Sequence, residues 1–250
     1  MHNRDYWQGR LNKQKFISHS IIGGSPWFAK SGKTFAVINP ASNMLLAEVT
    51  ACQTDDVDLA VNTARQAFHS GIWSESPPSH RKAVLQRLAE LMLEHREELA
   101  LLESVSMGKP VADAFNIDIP GAAHVISWYA ESIDKIYDEI APTRPGTLAT
   151  ITREPVGVVA AIVPWNFPLD IAAWKIGPAL AAGNSVILKP SEHSPFTALK
   201  LAELALEAGL PAGVLNVVTG LGVETGAALG LHKDIDVITF TGSTAVGKAF

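Results

Sequence analysis

The segment Pro155-Val156-Gly157-Val158-Val159-Ala160-Ala161-Ile162-Val163-Pro164-Trp165-Asn166-Phe167-Pro168 decides the fold. Residues 156–163 form a nearly continuous apolar run, which suits a strand covered on both faces, and the run stops at two prolines that bracket a polar turn. Strand and helix patterns then alternate. Helical spacing over 169–182 leads to a short strand over 185–188. An amphipathic helix over 195–208, closed by Gly209, leads to a strand over 214–218. A helix over 222–231 leads to a strand over 237–240, and another helix begins near Ser243. Apolar strands separated by helices of this length mark an α/β, Rossmann-like parallel sheet with crossover helices. Four strands are counted in it.

Upstream, residues 138–154 carry Pro142, Pro145 and Gly146 between extended polar segments, a composition suited to an exposed hairpin or arm. Before the arm the pattern is helical: one helix over 55–70, a second from Ser79 to Val105 with Gly108 and Pro110 beyond its end, and a third from Pro120 to about Tyr137. Residues 16–50, with turn formers between short β-branched and aromatic runs, read as a β-meander or hairpins. The organisation expected is therefore 1–137, the arm at 138–154, and a Rossmann-like part over 155–250.

Composition narrows the function classes. With 47% hydrophobic and 18% charged residues the 250-residue chain can bury a large core. A net charge of −5 offers no basic field for nucleic acid or anionic lipid. The uncharged stretch 155–169 holds three prolines in 15 residues, too short and too broken for a membrane helix. The partners expected are small molecules, with no nucleic acid and no membrane. One cysteine, Cys52, excludes an internal disulfide framework, and no apolar leader follows Met1, so a cytoplasmic location is expected. The eight histidines show no metal-ligand spacing, and no metal site is expected.

Each strand end carries a motif with two readings. Asn166 follows the first strand at the edge where such sheets bind ligands, and its amide could donate to a developing oxyanion; it could equally cap the next helix. Lys189-Pro190-Ser191-Glu192 offers a cation and a carboxylate for a ribose diol, or is a polar loop with Glu192 favouring a helix N-terminus. Gly220-Leu221-Gly222-Val223-Glu224-Thr225-Gly226 is one residue too long for the dinucleotide fingerprint. Thr241-Gly242-Ser243-Thr244-Ala245-Val246-Gly247 opens a helix, so its N–H groups and hydroxyls could face a pyrophosphate, or Ser and Thr merely cap a tight turn. Cys52, just before a helix cap at Thr54 or Asp55, reads as a small core filler.

Together, Pro164-Trp165-Asn166-Phe167-Pro168, Gly177-Pro178-Ala179-Leu180-Ala181-Ala182-Gly183-Asn184, Lys189-Pro190-Ser191-Glu192 and Phe240-Thr241-Gly242-Ser243-Thr244 resemble the aldehyde dehydrogenase superfamily in order and spacing. The likeness extends back through Met107-Gly108-Lys109-Pro110 and Ser31-Gly32-Lys33 to Asn39-Pro40, and fits less well over 18–27. In overall texture the chain is similar to bacterial gamma-glutamyl-gamma-aminobutyraldehyde dehydrogenases.

That resemblance implies NAD as cofactor and a small aldehyde as substrate. It places Trp165 and Asn166 beside nicotinamide and substrate, with the Asn166 amide as half of the oxyanion hole, and counts Ile162 and Pro164 among the cofactor-binding residues. Lys189 and Glu192 would hold the adenosine ribose, Ser191 would also bind the cofactor, and Glu192 would favour NAD over NADP by repelling a 2′-phosphate. Gly222 and Gly226 would approach the adenine side. Ser243, within the Gly242 to Gly247 turn, would bind the pyrophosphate, with Gly242, Thr244, Val246 and Gly247 also among the cofactor-binding residues. The arm would serve homo-oligomer contacts in the full-length enzyme.

The family's activating glutamate and nucleophilic cysteine follow the last motif, so the resemblance implies a chain truncated before the catalytic domain and inactive alone. In a complete enzyme the cysteine would attack the aldehyde, hydride would pass to NAD, and activated water would release the acid. Two other readings share the pattern: a non-catalytic nucleotide-binding or assembly module, and a fragment of a CoA-acylating semialdehyde dehydrogenase.

Overall fold

The computed structural model describes residues 3–250; Met1 and His2, which entered the reading of a leader and of the histidines, lie outside them. Asn3 caps the first helix, α1 (Arg4–Leu11), its side-chain oxygen accepting from the Tyr6 N–H at 3.0 Å. Two hairpins follow, β1 (Ser20–Ile22) with β2 (Ser25–Trp27) and β3 (Thr34–Ile38) with β4 (Leu45–Thr50). Gly23 and Gly24 turn the first with φ of 61° and 74°, a conformation glycine adopts cheaply.

In α2 (Thr54–His69), Val57, Ala60, Val61 and Ala64 line the buried face. Its cap is Gln53, one residue before the expected Thr54 or Asp55, because the Asp56 carboxylate reaches back to accept from the Gln53 N–H at 2.9 Å. The single helix expected over 79–105 is two, α3 (Pro78–Glu94) and α4 (Arg96–Met107), which meet at His95 with φ −92° and ψ 17°. Glu97 and Glu98 in the first turn of α4 favour a new N-terminus there. Each helix keeps an apolar stripe, so periodicity alone does not expose the break.

The third helix begins earlier than Pro120 and ends before Tyr137. α5 (Val111–Asp113) runs through a π turn, Ala114–Asp118, into α6 (Ile119–Ser132), and a 3-10 turn, Ile133–Lys135, finishes it. The wide turn lies just ahead of Pro120 and accommodates a residue with no N–H to give. The arm is the isolated hairpin β5 (Glu139–Ala141) and β6 (Ala149–Ile151).

The alternating part follows as β7 (Val158–Ile162), α7 (Pro168–Ala181), β8 (Ser185–Lys189), α8 (Phe196–Glu207) and β9 (Leu215–Val217). The helix expected over 222–231 opens as a π turn, Gly222–Gly226, before α9 (Ala227–Gly230); β10 (Val237–Phe240) and α10 (Thr244–Gly247) complete the order. β10, β7, β8 and β9 lie side by side and parallel, the four strands foreseen.

The sheet has six strands, however, because the first hairpin leaves the expected meander and adds to β9 through β1, antiparallel. Buried Asn216 on β9 secures it, accepting from the Gly23 N–H at 2.8 Å and donating to the Gly213 carbonyl at 2.7 Å. Ser20 Oγ adds a 2.8 Å bond to Thr219 Oγ1.

Residues of β7 alternate between two cores. Val159, Ala161 and Val163 join α3, α6, α7 and α8, while Val158, Ala160 and Ile162 join α2 and α9. Helices therefore cover both faces, as period-2 packing of a buried strand demands. Among the described residues no helix is long and apolar enough to cross a membrane. Replacing Asn216 by Leu should cost about 2–4 kcal/mol, since the buried Gly213 carbonyl and the half-buried Gly23 N–H lose their partner; chemical denaturation measures this, and a loss within about 0.5 kcal/mol would deny Asn216 that role.

Candidate functional site

Parallel register brings four loops to one edge. Ile162 stands in the sheet between Lys189 on β8 and Phe240 on β10. The ladder continues one step beyond: the Val163 N–H donates to the Lys189 carbonyl at 3.1 Å, and the Thr241 N–H to the Ile162 carbonyl at 3.1 Å. The segments after β7, β8, β9 and β10 thus leave the same, carboxyl edge of the sheet, where open α/β sheets bind ligands.

After β7 the chain passes through half-buried Pro164 to Trp165, 51% exposed, and to exposed Asn166. The Asn166 side chain makes no hydrogen bond among the described residues, and the cap of α7 is Phe167, which has no side-chain acceptor. The capping reading of Asn166 fails on that geometry. What stands at the edge is an uncommitted amide between two prolines.

After β8, Lys189 is 2% exposed. Its Nζ donates to the Pro190 carbonyl at 3.0 Å and to Glu192 Oε2 at 3.4 Å. Burial lowers the Lys189 pKa against the opposing pull of Glu192. Burial pushes the Glu192 carboxyl up, but the Lys189 ammonium and local hydrogen bonds outweigh it and hold the carboxyl below its ordinary range. The Glu192 carboxylate thus partners Lys189, and α8 starts later, with Pro195 at its cap. Ser191 is buried, its Oγ accepting from the His193 N–H at 3.3 Å.

After β9, Gly220 takes φ 151°, and a Cβ there would run into Thr225 Oγ1. Thr225 Oγ1 donates to the Cys52 carbonyl at 2.6 Å, and Gln53 Nε2 donates to Glu224 Oε2 at 2.7 Å. The glycine turn is thus clamped to the start of α2, while a Cβ at Gly222 or Gly226 would meet nothing within 4 Å. After β10, Ser243 caps α10 by accepting from the Val246 N–H at 3.3 Å. Gly242, Ser243, Thr244, Val246 and Gly247 are all exposed, and a Cβ at Gly242 would strike the Phe240 ring.

Two further features adjoin the glycine turn. A cleft of about 780 Å³ between α2 and α9, lined by Asp58, Asn62 and His232 among others, shares only Val223 and Glu224 with the glycine turn. Cys52 is fully buried, with Sγ 3.2 Å from Ser20 Oγ, and burial pushes its thiol up to about 11. A thiol so disfavoured as thiolate is the core filler expected, not a nucleophile.

Sequence reasoning missed a charged cluster behind the 165–167 turn. Glu103 on α4 is fully buried, and among the described residues neither carboxylate oxygen has a partner of ordinary hydrogen-bond geometry. Burial, then the charge of Asp118, raise its pKa to about 8 against the pull of Lys109 and the Leu169 N–H, with Asp170 adding a smaller push upward. Lys109 forms an ion pair with Asp118. One signal was available: Glu103 falls four residues after Leu99 and three before Ser106, on the buried stripe of its helix. Among the described residues no group of three or more His, Cys, Asp or Glu could hold a metal ion.

The profile of the aldehyde dehydrogenase family matches residues 27–250. The chain belongs to the aldehyde dehydrogenase family. It is 55% identical to the NADP/NAD-dependent aldehyde dehydrogenase PuuC of Escherichia coli K12 over 247 residues, 99% of this chain and 50% of the relative. The structure of a gamma-glutamyl-gamma-aminobutyraldehyde dehydrogenase from Burkholderia cenocepacia superposes with TM-score 0.96 at 53% identity, over 98% of this chain and 50% of that one. An indole-3-acetaldehyde dehydrogenase complexed with NAD+ superposes with TM-score 0.99 at 53% identity, over 100% of this chain and 50% of that one. The chain spans about half the length of the relatives it matches.

The pH dependence of stability isolates Glu103. Its folded pKa of about 8 exceeds the ordinary 4.5, so its protonated form stabilises the fold below about pH 4.5, and that contribution is lost as pH rises through 8. Melting temperatures measured from pH 5 to 9 should fall more steeply for the wild type than for Glu103→Gln. Parallel curves would show that Glu103 is ionised throughout.

Proposed function

We propose that the carboxyl edge binds NAD, and that this chain forms the cofactor half of an enzyme oxidising an aldehyde to a carboxylic acid. The observation that carries this reading is Lys189, a buried ammonium at the end of an inner parallel strand with the Glu192 carboxylate beside it. That donor and acceptor pair suits the two hydroxyls of a ribose. The open sides of Gly222 and Gly226 suit the close approach of a flat base.

In this reading Lys189, Ser191 and Glu192 hold the adenosine ribose, and Gly222 and Gly226 border the adenine. Gly242, Ser243, Thr244, Val246 and Gly247 present N–H groups and hydroxyls to the pyrophosphate. Ile162, Pro164 and Trp165 border the nicotinamide. NAD, when bound, supplies the hydride acceptor. Asn166 donates its amide N–H to the carbonyl oxygen as negative charge develops there, with no proton of its own to lose. Cys52 takes no part, so the attacking thiol comes from outside residues 1–250.

The arm, with Ile140 73% exposed, serves contacts between copies of the full-length enzyme. A single unpaired cysteine suits the reducing cytoplasm. Residues 1–137 and 155–250 together build the nucleotide part.

The experiment joins this chain to the carboxyl-terminal half of a relative such as PuuC and follows NADH formation with several aldehydes. The joined protein should turn over and the 250-residue chain alone should not. Asn166→Ala in the joined protein should lower the turnover number roughly 10²- to 10³-fold with NAD affinity little changed. Full activity of that variant would remove Asn166 from the oxyanion site. Turnover by the unextended chain that disappears in Cys52→Ser would overturn the half-enzyme reading altogether.

A further inference from the structure

The motif Met107-Gly108-Lys109-Pro110 has no role in the site described so far. Gly108 ends α4 with φ 85°, and a Cβ there would press on Pro40 Cγ at 3.1 Å, so the Asn39-Pro40 corner packs against the reversal. Beyond it Lys109, with its side chain 13% exposed, pairs with Asp118 in the π turn. The same Nζ lies 3.8 Å from the centroid of the Phe167 ring. An ammonium at that distance is drawn to the ring face, the more so when little water competes.

Phe167 directly follows Asn166 and caps α7. The other restraints on this turn are few: the two prolines, a 3.0 Å bond from the Ile171 N–H to the Phe167 carbonyl, and a long 3.4 Å contact from Ser194 Oγ to the Trp165 carbonyl. We infer that Lys109 is a positioning residue for the 165–167 turn, its ammonium holding the Phe167 ring and, through it, the Asn166 amide. Asp118 fixes the ammonium through their ion pair. Glu103 and Asp170 are the remaining titratable groups of the cluster. The catalytic consequence rests on the reading of Asn166 as the oxyanion donor; the positional claim does not.

The test is ¹⁹F NMR of the 250-residue chain labelled with 5-fluorotryptophan, with the Trp165 resonance assigned by Trp165→Phe. In Lys109→Met the Trp165 resonance should move toward the position of a freely solvated indole while those of the other five tryptophans stay. Lys109→Arg, which keeps the charge near the ring, should restore most of it. An unmoved Trp165 resonance in Lys109→Met overturns the inference. Should all six resonances collapse in that variant, Phe167→Leu decides, because it removes the ring and leaves the Lys109–Asp118 pair intact. Movement of Trp165 alone then supports the inference, and no movement overturns it.

In the protein joined to a relative's second half, Lys109→Met should lower kcat on the order of 10- to 100-fold with the KM for NAD unchanged. A raised KM for NAD at constant kcat would overturn it. Full activity of Asn166→Ala alongside a shifted Trp165 resonance would sink the oxyanion reading and leave the positional one standing.

Discussion

Everything at the candidate site depends on the parallel pairing of β7 with its neighbours β8 and β10. Every residue of β7 and β8 is buried, so a one-residue slip would move each apolar side chain from one core to the other. That constraint sets Lys189, Ile162 and Phe240 in line and sends the segments after them out of one edge. The loops themselves are varied in kind: a proline-bracketed turn, a lysine–glutamate pair, a glycine-rich π turn and a short capped helix. The sheet, not any one loop, is what assembles them.

Two lysines bracket the first of these loops, each with one carboxylate partner. Lys189 and Glu192 lie at the carboxyl edge of the sheet, whereas Lys109 and Asp118 lie behind the turn that carries Asn166. Burying a lysine is costly unless a charge and further polar contacts compensate it. In both cases the second contact is unusual, the Pro190 carbonyl for Lys189 and an aromatic face for Lys109. Each pair therefore ties a loop to the framework instead of leaving it to solvent. Glu103, held largely neutral beside the second pair, spares that cluster another negative charge.

The alternating part was legible because its signals are local. A buried strand of five residues and a helix of three turns have different periods, and each of the four foreseen parallel strands forms where its apolar run lies. The hairpin β1–β2 was readable as a hairpin but not as part of the sheet, since what docks it is Asn216, 193 residues away from Gly23. The break at His95 was hidden because both helices keep apolar stripes. Asn166 could be found at the right edge, yet the choice between cap and free donor needed the coordinates of Phe167 and α7. The Lys109 cluster was out of reach for the same reason: its members come from α4, the loop after it, the π turn and α7, and only their meeting gives them meaning.

Calorimetric titration of the purified chain with NAD and NADP, for the wild type and for Lys189→Met, tests the proposed nucleotide site most directly. Saturation at one NAD per chain, weaker binding of NADP, and loss of NAD binding in Lys189→Met are the predicted results. NAD affinity unchanged in a folded Lys189→Met, or no NAD binding by the folded wild-type chain, would contradict the account.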